Sequence, residues 1–446
     1  MKSVSAAVEE ATPRGIAAAI ARLITSGDLA PGDRLPTVRD LAAELGVSPA
    51  TVSHAWQTLA GAGLITSRGR SGSFVRSAPR DWLPLRYRGL DGGGRDGSDA
   101  PLDLSRGTPD PALLPPLGPA MARVAAHVAA ASRPASYQQK PDIPELHDLL
   151  RESWPAPVES LTVTNGALDA IDRALGALVR YGDRIVLEDP CFPPFLDLAE
   201  HYGLEPVPVA LDAEGMIPEG FARALAASPA VVLLQPRAQN PTGVSMTPER
   251  AERLAGMLAR SRTAEHAIVV EDDHSAGISL APDVSLARTL PERVLHVRSF
   301  SKSHGPDLRV GALGGPRALV DRIVARRLLG PGWTSRMVQE LLFELLVDPD
   351  AVAAVRHARD SYAQRQAALS GSASIVPRGD GINTWLPVAD ERAAVVQLAA
   401  EGIRVAPGSP FTLGEAGPHV RVTVGVVPPE SAPAVGAALA AAAIAR

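Results

Sequence analysis

The chain has one cysteine, Cys191, in 446 residues, which excludes an internal disulfide and makes a reducing cytoplasm its expected location. It has no uninterrupted apolar run long enough to span a bilayer, so no membrane partner is expected. The opening MKSVSAAVEE lacks an apolar core and carries two glutamates, unlike a secretory signal. Acidic residues are missing from one stretch. None falls between Leu45 and Arg80, where Arg68, Arg70, Arg76 and Arg80 all lie. The whole chain carries a net charge of −5, which argues against a protein that coats nucleic acid along its length. A basic stretch inside such a chain is a candidate phosphate-facing surface. What is present is globular in composition: 46% hydrophobic with 21% charged residues excludes a disordered chain. The length exceeds one ordinary domain.

Residues 4–77 read as a first unit. Ile16, Ile20, Leu23 and Ile24 fall on one stripe between Gly15 and Ser26, the spacing of a half-buried helix. After the turn LAPGDRLP, Thr37 can cap a second helix, with Asp40 at capping-box spacing, Val38, Leu41, Ala42 and Leu45 inward, and Gly46 at its end. A third begins with Ser48 as cap and Pro49 in the first turn, with Val52, Ala55, Trp56 and Leu59 inward. Two short helices joined by a tight turn are a helix-turn-helix, whose second member enters the major groove. LITSRGRSGSFV then reads as strand, glycine-rich tip and strand, with Phe74 and Val75 returning to the core. Such a wing directs its arginines at phosphates or a narrow minor groove.

The segment GDLAPGDRLPTVRDLAAELGVSPATVSHAWQTLAGAGLITSRGRSGSFV closely resembles the winged helix of the GntR family of bacterial transcription regulators. The resemblance implies double-stranded DNA as partner, contacted by Arg39, Ser48, Thr51, Ser53 and His54 and by the wing residues Arg68, Arg70 and Gly72. Ser53 and His54 stand equally as solvated residues on the exposed helix face. Pro49 replaces an arginine that family members often carry, removing a bidentate guanine contact. Residues 78–100, rich in glycine and in Asp and Arg, read as a flexible linker in which Trp82, Leu83 and Leu85 could dock.

From residue 101 to 446, short β-branched runs (LTVT, RIVLED, VVLL, AIVVEDD, RVLHVRSF, RVGALGG) alternate with helical segments. The alternation predicts an α/β fold with a mostly parallel sheet covered by helices, its ligand site at the strand ends. Lys302 follows one such strand, where a lysine can form a Schiff base with an aldehyde cofactor. Ser299 and Arg309 beside it can hold a phosphate dianion. Asp272 ends another strand, and a buried carboxylate there needs a cationic partner. NPTG at Asn240 is a rigid turn with an amide to donate, and Gly166 and Ala167 open a helix whose free N–H groups suit a phosphate. Phe192 after a further strand offers a flat ring for stacking.

The order and spacing of these five elements resemble the fold-type I aminotransferases over nearly all of 101–446. The resemblance implies a smaller C-terminal subdomain and pyridoxal 5'-phosphate as cofactor. Lys302 would be the aldimine lysine, Asp272 the partner of the pyridine nitrogen, Asn240 that of the ring oxygen, and Phe192 the stacking ring. Gly166, Ala167, Ser299 and Arg309 would bind phosphate, and Arg421 in HVRVTVG would take a substrate or effector carboxylate. Departures accompany it. His274 stands where the family has tyrosine; as a cofactor-binding residue it can still donate to the phenolate oxygen, but it would titrate near neutrality. Phe192 lacks the usual hydroxyl, and Asp142 and His147 replace an expected glycine and arginine after Tyr137. Cofactor binding is expected to survive with at most weak transamination.

A GntR-type winged helix fused to such a domain resembles the MocR subfamily of regulators. It implies a homodimeric transcription factor sensing pyridoxal phosphate, an amino compound, or both. No metal is expected. An aminotransferase carrying an accessory DNA-binding domain is the alternative.

Overall fold

Threonine and glycine set the limits of the first helices in the computed structural model, which describes residues 4–61, 64–67, 72–75, 86, 102–130, 136–137, 139–414 and 417–445. Helix α1 (Pro13–Ser26) starts where Thr12 Oγ1 accepts from the Gly15 N–H at 3.1 Å, and it stops at Gly27, whose φ of 80° is left-handed. Helix α2 (Val38–Leu45) repeats the pattern with Thr37 and Gly46. The Thr37 hydroxyl also donates to Asp40 at 2.7 Å. In α3 (Pro49–Gly61), Ser48 Oγ accepts from the Thr51 N–H at 3.2 Å. Ile16, Ile20, Leu23, Leu41, Val52, Ala55, Trp56 and Leu59 form one core among the three helices.

Strands β1 (Ile65–Ser67) and β2 (Ser73–Val75) pair antiparallel, with Ile65 opposite Val75. Two differences from the sequence reading appear here. The turn before α2 is partly extended: the Leu35 N–H donates to the Ser73 carbonyl and the Val75 N–H to the Asp33 carbonyl, both at 2.9 Å, so Asp33–Leu35 line the wing as a further edge. Phe74 is half-buried while Val75 is in the core, because adjacent strand residues face opposite sides. The helices and wing form one compact unit, and the two sheets that follow belong to another. Arg68 and Arg70, with the proposed docking residues Trp82, Leu83 and Leu85, lie outside the described residues. Within 78–100 only Arg86 is described, and it pairs with Asp197 at 2.8 Å.

The second unit opens with β3 (Leu102–Leu104), followed by helix α4 (Gly118–Ala130). Its large sheet is built from β4 (Ser160–Thr164), β5 (Arg184–Asp189), β6 (Glu205–Asp212), β7 (Gly215–Met216), β8 (Val231–Leu234), β9 (Ile268–Asp273), β10 (Val294–Ser299) and β11 (Gly311–Gly315). The spatial order is β4-β11-β10-β9-β8-β5-β6-β7. The run β10-β9-β8-β5-β6 is parallel, while β11 is antiparallel to both its neighbours. Strand β6 escaped the sequence reading because Pro206 and Pro208 interrupt it. The sheet tolerates them because β7 covers β6 only at Leu211 and Asp212, leaving one edge open where no ladder donor is missed.

Helices α5 (Ala167–Leu178), α6 (Pro193–His201), α7 (Pro218–Ala226) and α8 (Pro248–Arg260) follow strands β4, β5, β7 and β8. Phe221 and Leu225 of α7 and Leu254 and Leu258 of α8 bury against Val186, Val209, Val232 and Val269 of the sheet. The long α9 (Pro349–Ser372) leads to a second sheet. There β12 (Asn383–Pro387), β13 (Ile403–Pro407) and β14 (His419–Thr423) combine in the order β12-β14-β13-β3. The smaller subdomain is thus not purely C-terminal. Its edge is Leu102–Leu104, parallel to β13, with Leu104 fully buried under Leu386, Val405 and Val420.

Candidate functional site

Register brings the strand ends of the large sheet together. Ser299 lies opposite Gly311, and Gly311 opposite Thr164, so the loops after β4 and β10 meet beside the start of β11. Gly311 must be glycine, since a Cβ there would stand 2.9 Å from the Gly166 carbonyl carbon and 3.0 Å from the Ala167 nitrogen. Gly166, at φ 94°, caps α5 in a backbone conformation that favours glycine, and a Cβ there would approach Arg309 Nη2 to 3.2 Å. Arg309 itself has φ 50° and is exposed. Gly166, Ala167 and Arg309 therefore gather the helix N–H groups and a guanidinium at one place, a donor set suited to a phosphate. Ser299 is buried next to them, its Oγ accepting from the Ser301 N–H at 3.2 Å.

One strand further along, Asp272 is the penultimate residue of β9 and Gln235 follows β8. Gln235 Nε2 donates to Asp272 Oδ2 at 2.7 Å, and Gln235 Oε1 accepts from the Asn240 N–H at 2.8 Å. Asp272 Oδ1 is buried with no hydrogen-bond partner. Burial, with Asp273 adding like charge, raises the Asp272 carboxyl to about 7. A buried carboxylate oxygen left free costs about 1–3 kcal/mol or more, and a protonated pyridine nitrogen is the kind of group that would satisfy it. Gln235 was missed in the sequence, although it too follows a strand end. Glu188 of β5, also missed, accepts from the Gln235 N–H at 3.1 Å, and burial pushes it up to about 8.

Lys302 is half-buried, and its Nζ donates to the Gly107 carbonyl. Desolvation foremost, then the Arg421 charge, lowers it to about 8 against the opposing pull of Asp272. The Gly107 N–H is held by Thr423 Oγ1 at 2.8 Å, so a residue from the β3 side presents its carbonyl to the lysine. Arg421 on β14 is 2% exposed and donates to the Ser105 carbonyl and, at 3.5 Å, to Asn240 Oδ1. Its guanidinium lies 5.1 Å over the Phe411 ring. Burial pushes it down to about 10, and its Nε has no partner. Among the described residues no carboxylate stands within ion-pair distance of it. A buried guanidinium without a counter-ion, beside a lysine poised to lose its proton, can receive an anionic group from a ligand.

His274 differs from its expected role. Nε2 donates to the Ala238 carbonyl and Nδ1 accepts from Ser275 Oγ, both at 3.0 Å. No ring N–H is left for a cofactor oxygen, and burial lowers the ring to about 4, well below neutrality. Phe192 sits half-buried after β5, edge-on to Phe195 at 5.5 Å. Asp142 accepts from the Val163 N–H at 2.8 Å and so braces β4, His147 lies beside Asp148, and Tyr137 is 88% exposed. The described residues contain no group of acidic, histidine or cysteine side chains able to hold a metal ion, and no helix long and apolar enough to cross a membrane.

In the winged helix, Arg39, Ser48 and His54 are exposed, and Thr51 and Ser53 are half-buried at the flanks of the α3 core face. The Ser48 and Thr51 hydroxyls are 2.9 Å apart, engaged in capping α3. Gly72 has φ 102°, and a Cβ there would come within 3.0 Å of Arg34 Nε. Arg34, exposed against the wing, is a cation that the sequence reading passed over as part of a turn.

Comparison with known proteins agrees with this construction. Residues 101–437 match the family described as "Aminotransferase class I and II", and residues 12–75 match "Bacterial regulatory proteins, gntR family". The vitamin B6 salvage pathway transcriptional repressor PtsJ of Salmonella typhimurium (strain LT2) is 35% identical over 427 residues, 94% of this chain and 95% of that protein. The HTH-type pyridoxine biosynthesis transcriptional regulator PdxR of Corynebacterium glutamicum is 30% identical over 318 residues, 68% of this chain and 66% of that one. The multiple substrate aminotransferase from Thermococcus profundus shares the fold, with a TM-score of 0.71 at 18% identity over 82% of this chain and 95% of that chain. Winged helix and fold-type I domain together define a DNA-binding transcription regulator built on an aminotransferase scaffold. The chain belongs to the aminotransferase class I and II family over its larger domain and to the GntR family through its N-terminal domain, the combination that makes up the MocR subfamily.

Proposed function

We propose that this regulator holds pyridoxal 5'-phosphate on Lys302 and reports its presence, or that of an amino compound reacting with it, to the DNA-binding unit. The observation that carries the reading is the unpartnered buried Oδ1 of Asp272 in one site with a lysine lowered to about 8. Pyridoxal phosphate supplies an aldehyde that condenses reversibly with amines. Lys302 would bind that aldehyde, releasing the Gly107 carbonyl. Asp272 would hold the ring nitrogen with Gln235 fixing its other oxygen, and Asn240 would meet the ring oxygen. Phe192 would stack on the ring, and Gly166, Ala167, Ser299 and Arg309 would hold the phosphate. Arg421 would anchor a carboxylate on the incoming amine, its Nε being free to donate. His274 stays neutral and fixes the Ala238 turn rather than donating to the cofactor.

Exposed apolar residues Leu117, Met121 and Val128 around α4, with Leu328, Leu329 and Met337, support a homodimer. A two-fold pair would place two winged helices on paired half-sites. The vitamin B6 links named for PtsJ and PdxR favour pyridoxal phosphate itself as a signal, and a DNA-bound regulator acts in the bacterial cytoplasm. The test is binding of the full chain to the DNA upstream of its own gene, with and without pyridoxal phosphate, in wild type and Lys302→Ala. A cofactor-dependent change in affinity that vanishes in K302A supports the reading. An unchanged affinity, or a wild type that stays colourless with the cofactor, overturns it.

A further inference from the structure

A cavity of about 330 Å³ opens beside the turn that carries Lys302, and neither Lys302, Asp272 nor Arg421 forms part of its wall. Four arginines line it against a single carboxylate, Asp283. One of the four is neutralised: Arg237 pairs with Asp273 at 2.5 Å and with Asp283 at 2.6 Å. The others are not. Arg298, only 8% exposed, spends two nitrogens on Ser153, at 2.9 Å to the hydroxyl and 2.6 Å to the carbonyl, and lies 4.9 Å over the Trp154 ring. Its Nε is buried without a partner. Arg359 Nε is also buried without a hydrogen bond, its nearest carboxylate being Asp360 at 3.7 Å. Arg356 makes no ion pair among the described residues and is exposed at the mouth.

A buried guanidinium N–H with no acceptor bears its full desolvation penalty, and two guanidinium groups without an ion pair beside a third with only a long one attract an anion to the cavity. Phe300, Leu346, Val352 and Val355 give the wall an apolar part, beside the polar Ser153, Ser303 and His304. That mixture suits a ligand with an anionic head and a small apolar body, and the volume lies within the lower range of ligand pockets. The position matters as much as the chemistry. Ser299, Phe300, Ser303 and His304 of the wall belong to the Lys302 turn, whereas Val352, Val355, Arg356 and Arg359 belong to α9. Further along α9, Gln366 Nε2 donates to the Gly381 and Asn383 carbonyls at 3.3 and 2.9 Å, next to the small sheet.

We propose that this cavity is a second ligand site, taking a small organic anion whose phosphate or carboxylate head meets Arg298, Arg356 and Arg359 and whose body rests on Leu346, Val352 and Val355. Occupancy braces the Lys302 turn against the helix that leads to the small sheet. Ser299 borders both sites, but the arginines and apolar side chains that meet this ligand are not those assigned to the cofactor, so the site stands whether or not pyridoxal phosphate occupies Lys302.

The test is calorimetric titration of the full chain with phenyl phosphate and with phenylacetate at fixed ionic strength. Three proteins are compared: wild type, the surface double variant Arg356→Gln/Arg359→Gln, and Arg309→Ala, which removes the other phosphate-binding arginine. One equivalent of at least one anion should bind wild type and R309A alike, and at least about tenfold more weakly to the double variant, as expected for lost charge-assisted bonds. Which of the two binds identifies the head group. Arg356→Glu, at an exposed position, repeats the comparison with the charge reversed and should weaken binding further. Failure of both anions to bind wild type, equal binding to the double variant, or loss of binding in R309A instead would each overturn the proposal.

Discussion

The lowered basicity of Lys302 makes a quantitative prediction about cofactor capture. Only the neutral amine attacks an aldehyde, and burial with the Arg421 charge brings Lys302 from 10.5 to about 8. At pH 7 about one amine in eleven is then neutral, about 300 times the fraction in an ordinary lysine. The rate of pyridoxal phosphate capture should rise about tenfold per pH unit up to pH 7 and level off above pH 8. Two substitutions should move that midpoint in opposite directions. Arg421→Met removes the nearby positive charge and raises it, slowing capture at pH 7 several-fold. Asp272→Asn removes the carboxylate that favours the ammonium form and lowers it. Stopped-flow absorbance after mixing with the cofactor, over pH 6 to 10, measures both. A rate that climbs steadily through pH 10, or one midpoint shared by wild type and R421M, would refute the placement of Lys302 in a desolvated site beside Arg421.

Three further outcomes follow from the packing and charges. Burial pushes His304 from 6.5 down to about 4, so the folded state resists a proton that the unfolded chain accepts; its stabilising effect is full above pH 6.5 and is lost as pH falls towards 4. Between pH 6.5 and 5 that loss is about 1.5 kcal/mol, and His304→Leu should lose correspondingly less stability over the same interval in denaturant titrations at the two pH values. Leu59→Ala opens a cavity in the winged-helix core, costing about 2–5 kcal/mol; DNA binding should fall while cofactor absorbance persists, and equal loss of both would contradict two separately folded units. Arg39→Ala removes one exposed cation on α2, and the slope of log K against log salt for DNA binding should shrink by about 0.9; an unchanged slope would place Arg39 away from the phosphates.

Much of this protein is local in origin, and local features are what a sequence carries. Thr37, Ser48, Gly27 and Gly46 start and stop helices through bonds to residues at most four positions away, so the winged helix was readable residue by residue. The strands that carry Asp272 and Ser299 were readable because they are short valine-containing runs, buried on both faces and bounded by turns. What joins residues distant in the chain was not. Gly107 faces Lys302 and Ser105 holds Arg421 only because β3 crosses to the far end of the chain and pairs with β13. The spare oxygen of Asp272, the closed valences of His274 and the cavity between Arg298 and α9 are likewise properties of the packed fold. Spacing along the chain determined which chemical groups this protein owns. The tertiary structure decided which of them are desolvated, paired or left free, because burial and hydrogen-bond satisfaction depend on neighbours that sequence order does not specify.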